Sequence, residues 1–178
     1  SFALDWDRMI RKPLLKKIVA ESTMEEVLIK LALRDNYHVL LQAFDYYHSE
    51  GGGESFSIQK NGYKKFLKDC DIINEHSKYC KSIHLDLVFQ KVNLEVEVNS
   101  DDEAGEIQEL ENKRNDDRAL MRCEFVEMMI HLATRKYLLS GRTNSPAIAL
   151  DIFCKKHIQQ RIPKIAKLDS NDFRIMRL

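Results

Sequence analysis

Two stretches, DLVFQKV (Asp86 to Val92) and ALMRCEFVEMMIHLATRKYL (Ala119 to Leu138), constrain this chain more than any other feature. Both read as helices, with apolar residues recurring three and four apart. Residues 95–117, between them, are acidic and poor in hydrophobic side chains. The two helices therefore read as halves of one helix–loop–helix unit forced apart by an insert. The insert reads as a solvated loop, with a specific acidic docking segment as the alternative.

At 178 residues the chain fits one domain with an extension, and its 44% hydrophobic content can bury a core. Its 28 basic and 28 acidic residues balance, but not evenly along the sequence. Residues 95–118 hold ten acidic against three basic residues, and residues 135–178 hold ten basic against three acidic. Net charges of −7 and +7 suggest self-association of the two segments or a basic face for an acidic partner. Cys70, Cys80, Cys123 and Cys154 lack the spacing of a secreted disulfide scaffold, so reduced thiols in a cytoplasmic setting are expected. No run approaches the roughly 18 apolar residues of a membrane span. The chain opens with Ser1 and stops at Leu178 within a basic stretch, which suggests a piece of a longer protein.

In order along the chain, residues 1–22 form a basic amphipathic segment broken at Pro13. Residues 23–139 form the main domain. Ser22 or Thr23 caps its first helix, with Glu25 or Glu26 three residues on. Val27, Leu28, Leu31 and Leu33 are expected on its apolar face, and helix continues from Tyr37 to His48. Gly51-Gly52-Gly53 ends it, and helix resumes near Ile58, running through Tyr63 and Phe66 to Cys70. After a polar connector, helix returns from Tyr79 to Val92 with Ile83, Leu87 and Val88 on one side. Residues 140–178 form a basic helical extension. Ser145 caps it, Pro146 takes its first helical position, and Ile148, Ile152, Phe153 and Ile158 supply its apolar face before Pro163 stops it. A further short helix is expected after Ser170.

The spacing around both loops resembles the EF-hand superfamily. Leu120, Glu124 and Phe125 sit where an EF-hand places its hydrophobic loop residue, its closing bidentate Glu and the first apolar residue of the exiting helix. In that frame Lys113 replaces the first aspartate, Asn115 and Asp117 remain as ligands, and Arg118 replaces the turn glycine. Counted from Asn93, the loop would span 32 residues where calcium needs about twelve. The earlier loop has two frames. With Ile58 eighth, Gly62 closes it; with Phe56 eighth, Lys60 does. Neither supplies a carboxylate, so calcium binding is not expected. KKFLKDCDII (Lys64 to Ile73), DLVFQKV and CEFVEMMIHLA also resemble the core domain of tubulin polymerisation-promoting proteins, over about half the chain. The same organisation resembles EF-hand-like modules of ciliary and axonemal proteins. These resemblances imply a degenerate EF-hand-like fold and tubulin or microtubule binding, in the cytoskeleton or a cilium.

The expectation is an all-α chain with two degenerate EF-hand-like units and no cofactor. It would act as a calcium-independent, non-enzymatic protein-binding module. Its partners would meet Arg135, Lys136, Arg142, Lys155, Lys156, Arg161, Lys164 and Lys167. A calcium-regulated sensor and a nucleic-acid-binding module are the alternatives, the latter disfavoured by zero net charge and few aromatics among the basic residues. Cys70, His76, Cys80 and His84 offer a zinc alternative, although the spacing matches no zinc pattern. Gly51-Gly52-Gly53 lacks the Lys-Ser/Thr of a P-loop, and no thiol is marked as a nucleophile.

Overall fold

A computed structural model of the chain describes residues 1–19, 22–50, 56–93 and 119–167. Over these residues the regular structure is helical apart from one pair of three-residue strands. The elements are α1 (Phe2–Ile10), α2 (Pro13–Val19), α3 (Thr23–Glu50), β1 (Ser57–Gln59), α4 (Lys60–Asp69), α5 (Ser82–Asn93), β2 (Ala119–Met121), α6 (Arg122–Ala133) and α7 (Pro146–Phe153). Helices α6 and α7 each continue into a wider π-helical turn, Thr134–Leu138 and Cys154–Gln159. In these turns Leu139 N–H reaches back five residues to Thr134 O (2.9 Å) and Gln160 N–H to Lys155 O (3.3 Å). A 3₁₀ turn, Lys164–Lys167, follows Pro163. The insert, the triple glycine and the short helix expected after Ser170 lie outside the described residues.

Helix α6 is the centre of the fold. Every residue from Glu124 to Ala133 is buried, as befits a helix that is apolar on nearly all sides. Helices α1, α3, α5 and α7 pack around it. Trp6 and Met9 from α1, Leu85 and Phe89 from α5, and Leu150 and Phe153 from α7 join Phe125 and Met128 in one continuous core. The segments before, within and after residues 23–139 therefore share a single hydrophobic interior. Among the described residues no helix is long and apolar enough to cross a membrane.

Several local expectations need correction. Residues 23–50 form one unbroken helix, and its buried side carries Ile29, Leu33, Asn36, Leu40, Ala43, Phe44 and Tyr47. Val27, Leu28 and Leu31 face outward instead. Because the helix is continuous, the face set by its aromatic C-terminal half fixes the face of its N-terminal half too. Likewise Ile83 and Leu87 on α5 are exposed, while Leu85, Val88, Phe89 and Val92 are buried. Ile148 on α7 is also exposed, whereas Phe153 and Ile158 are buried. Ile58, Ala119 and Leu120 lie in strands rather than helices. Pro13 opens α2 as a first-turn proline, and Ser145 and Pro146 begin α7. Serine 22 accepts a hydrogen bond from Glu25 N–H through its Oγ (3.3 Å), as an N-cap does.

Candidate functional site

Two places in the fold combine charge with unusual burial. The first is the junction where β1 and β2 pair. The strands are antiparallel, with Ile58 opposite Leu120, Ser57 opposite Met121 and Gln59 opposite Ala119. Each strand runs straight into a helix, and five residues after each central residue comes a fully buried aromatic ring, Tyr63 or Phe125. Phenylalanine 56 is exposed, so Ile58 and not Phe56 is the inward residue of the first strand. Phe125 packs between Phe44 and Phe66, with ring centroids 5.7 and 5.3 Å away.

Four residues beyond Leu120 stands Glu124; four beyond Ile58 stands Gly62. The single carboxylate of this pair is buried, and one of its oxygens accepts the Met121 N–H (2.8 Å). Its other oxygen lies 3.7 Å from the Lys12 ammonium, which also sits 3.2 Å from the buried Glu127. Lys12 reaches the Val92 carbonyl as well (3.5 Å). Burial works against the charged ammonium, but the attraction of Glu127 and Glu124 outweighs it and holds the Lys12 pKa above its usual value. Glu127 is further bonded to His131 Nε2 (3.3 Å). The N-terminal segment thus delivers a fixed cation to the carboxylates of α6.

A second pin fastens the same segment. Asp5 is buried and receives a bidentate pair of bonds from Arg122 (2.9 and 3.0 Å) together with the Tyr37 hydroxyl. Burial alone would raise the Asp5 pKa; the Arg122 and Tyr37 hydrogen bonds overcome it and lower the value.

The second charged place is the connector between α4 and α5. Asp71 adopts a left-handed conformation (φ 52°), closing α4 after Cys70. The Lys136 ammonium bonds the Asp71 and Ile72 carbonyls (3.1 Å each), and Arg161 lies 3.4 Å from the Asp71 carboxylate. Arg135 donates to the Tyr79 carbonyl (3.1 Å), and the Arg142 guanidinium lies over the Tyr137 ring (5.9 Å). A buried pair braces this assembly. His157 Nδ1 faces the Cys70 carbonyl (2.8 Å), which can only accept, so that nitrogen carries the proton. Nε2 is then the acceptor for the Tyr137 hydroxyl (2.8 Å) in the neutral ring. Tyr137 lies in the first π-helical turn and His157 in the second, so the two wide turns are tied to one another and to α4.

Of the eight expected partner-binding residues, Arg135, Lys136, Arg142 and Arg161 come together here. Lys155 is elsewhere, paired with Asp151 (2.7 Å) beside α3, and Lys164 and Lys167 lie in the 3₁₀ turn near Gln42 of α3. Lys156 is exposed in the second π-helical turn. Cys70, His76, Cys80 and His84 do not form a ligand set: Cys70 is buried against the Tyr47 hydroxyl, and His84 Nδ1 accepts the Lys81 N–H. Among the described residues no group of three or more metal-binding side chains converges.

Sequence reasoning missed Lys12, Asp5, Tyr137 and His157. A signal for Lys12 existed, since Glu124 and Glu127 are two acids one turn apart on a predominantly apolar helix, and buried carboxylates need a cation. No family model matches the chain, and neither a curated protein nor a solved structure matches it.

Proposed function

We propose that the protein is a calcium-independent, non-enzymatic protein-binding module built on two degenerate EF-hand-like units, acting in a microtubule-based assembly of the cytoskeleton or a cilium. The reading of the fold is supported by the strand pairing. With Ile58 and Leu120 as the central residues of two paired loops, Tyr63 and Phe125 occupy equivalent places at the start of the exiting helices. In that frame Glu124 is the closing acid of one loop and Gly62 takes its place in the other.

The observation that carries calcium independence is Lys12. A calcium site needs six to eight oxygens with spare negative charge. Here the closing carboxylate already faces an ammonium supplied by the chain and a backbone N–H, so the charge that would draw calcium is neutralised from within. A sensor of this kind would have no metal-dependent state to switch. The microtubule assignment rests on the resemblance to tubulin polymerisation-promoting proteins, together with cations gathered on a fixed scaffold, which suit an acidic polymer surface. The direct test is microscopy of the fluorescently labelled chain over immobilised microtubules at near-physiological salt. Decoration that saturates with concentration supports the reading, and bare microtubules remove tubulin as the partner.

A further inference from the structure

The cluster around the Asp71 turn is out of electrostatic balance. Four cations from three separate stretches of chain, Arg135 with Lys136, Arg142 and Arg161, gather near it, and among the described residues the one carboxylate paired with any of them is Asp71. Lys136 is held against two carbonyls rather than an acid, and burial, reinforced by the charges of Arg142 and Arg161, lowers its pKa. Among the described residues the Arg142 guanidinium lies against the Tyr137 ring and pairs with no carboxylate. The geometry is nevertheless fixed: Lys136 leaves a π-helical turn, Arg142 follows the left-handed Gly141 (φ 73°), and Arg161 follows the Gln160 cap of the second π-helical turn. The backbone carrying these cations is held by the Tyr137–His157–Cys70 chain of hydrogen bonds.

We propose that Lys136, Arg142 and Arg161 form a binding site for an acidic polypeptide segment, whose Glu or Asp carboxylates are taken by the two exposed guanidinium forks. The inference deepens the protein-binding reading above and rests on it. Guanidinium groups pair side-on with planar carboxylates. A single-stranded nucleic acid would want exposed aromatic platforms for its bases as well. The rings at the centre of this cluster, Tyr137 and His157, are instead buried and hydrogen-bonded to each other.

The test titrates the intact protein with an end-capped peptide of ten glutamates, followed by calorimetry at 50 and 150 mM salt. Parallel titrations use inorganic phosphate and an oligothymidylate of the same charge. The expected result is peptide binding that weakens with salt and falls about tenfold or more in the Arg142→Gln/Arg161→Gln double variant. Lys155→Gln, whose partner is Asp151, should leave it unchanged. Unaltered thermal unfolding of each variant shows that the fold is retained. Undiminished peptide binding by the double variant overturns the assignment, as does tighter binding of the oligothymidylate or of phosphate. Microtubule decoration that survives the double substitution, with no peptide binding, sinks the site and spares the functional reading. Peptide binding lost in the double variant, with bare microtubules, keeps the site and sinks the microtubule assignment.

Discussion

Replacing Lys12 with Met tests the ammonium that faces Glu124 and Glu127. Met keeps the unbranched stem and deletes the charge. In the folded protein the Lys12 side chain is 16% exposed, while Glu124 and Glu127 are 3% and 0% exposed. Removing one partner of a buried ion pair commonly costs about 3–5 kcal/mol, because the remaining charge is left without compensation. Two features place Lys12→Met at the lower end: the ammonium is partly solvated, and Glu124 keeps its bond from Met121 N–H. A loss of about 3 kcal/mol follows, and for a chain of this size each kcal/mol moves the melting temperature by about 2–4 °C. Calorimetric melting at pH 7 should therefore show a fall of about 6–12 °C. The cause is isolated by a double-mutant cycle with Glu127→Gln, whose amide retains a hydrogen-bonding partner in His131. The double variant should be more stable than Lys12→Met alone by at least about 1 kcal/mol. A Lys12→Met loss below about 1 kcal/mol, or additive effects in the cycle, would refute the argument. The Lys12 pKa is raised, so this contribution is complete below the ordinary lysine value of 10.5 and disappears as pH climbs through the higher folded value.

Other expectations follow from the same packing. Phe125→Ala empties a site walled by Phe44 and Phe66 and should cost about 3–5 kcal/mol in urea unfolding, with an unchanged m-value. Arg122→Ala strands the buried Asp5, but Tyr37 still donates to it and the Arg122 side chain is 45% exposed, so the loss should be about 2 kcal/mol. Because Asp5 has a lowered pKa, the benefit of that pair is present above 3.8 and vanishes as pH falls through its folded value. His157 is held below the ordinary 6.5, first by burial and then by the Lys136 and Arg161 charges, against the pull of the Cys70 carbonyl. Between its folded value and 6.5 the unfolded chain binds more protons, so stability should rise with pH across that window and level off above it. Melting curves of His157→Gln should lose that part of the slope; an identical slope would contradict the buried neutral ring.

The helical class was legible because Phe44, Tyr47, Tyr63, Phe66 and Phe125 recur at helical spacing, and each proved buried. The start of α7 was equally plain, since Ser145-Pro146 is a local signal that depends on no distant contact. The faces of α3 and α5 were not. Both helices carry apolar residues on two sides, as with Val27 beside Ile29 and Ile83 beside Leu85, and only packing against α6 and α7 selects one. The lysine lock was hidden because Lys12 and Glu127 are 115 positions apart in sequence and meet only when α1 packs on α6. For the same reason the eight basic residues read as one surface, whereas folding brings four to the Asp71 turn and leaves the others outside it. A charge pattern along a chain says how many cations there are; the left-handed turn at Asp71 and the two π-helical turns decide which of them meet.

The most direct measurement is co-sedimentation of the chain with polymerised microtubules, run in parallel with millimolar calcium and with a calcium chelator at matched ionic strength. The lysine-locked module predicts two saturating isotherms that superimpose. Pelleting that requires calcium, or none in either buffer, would contradict it.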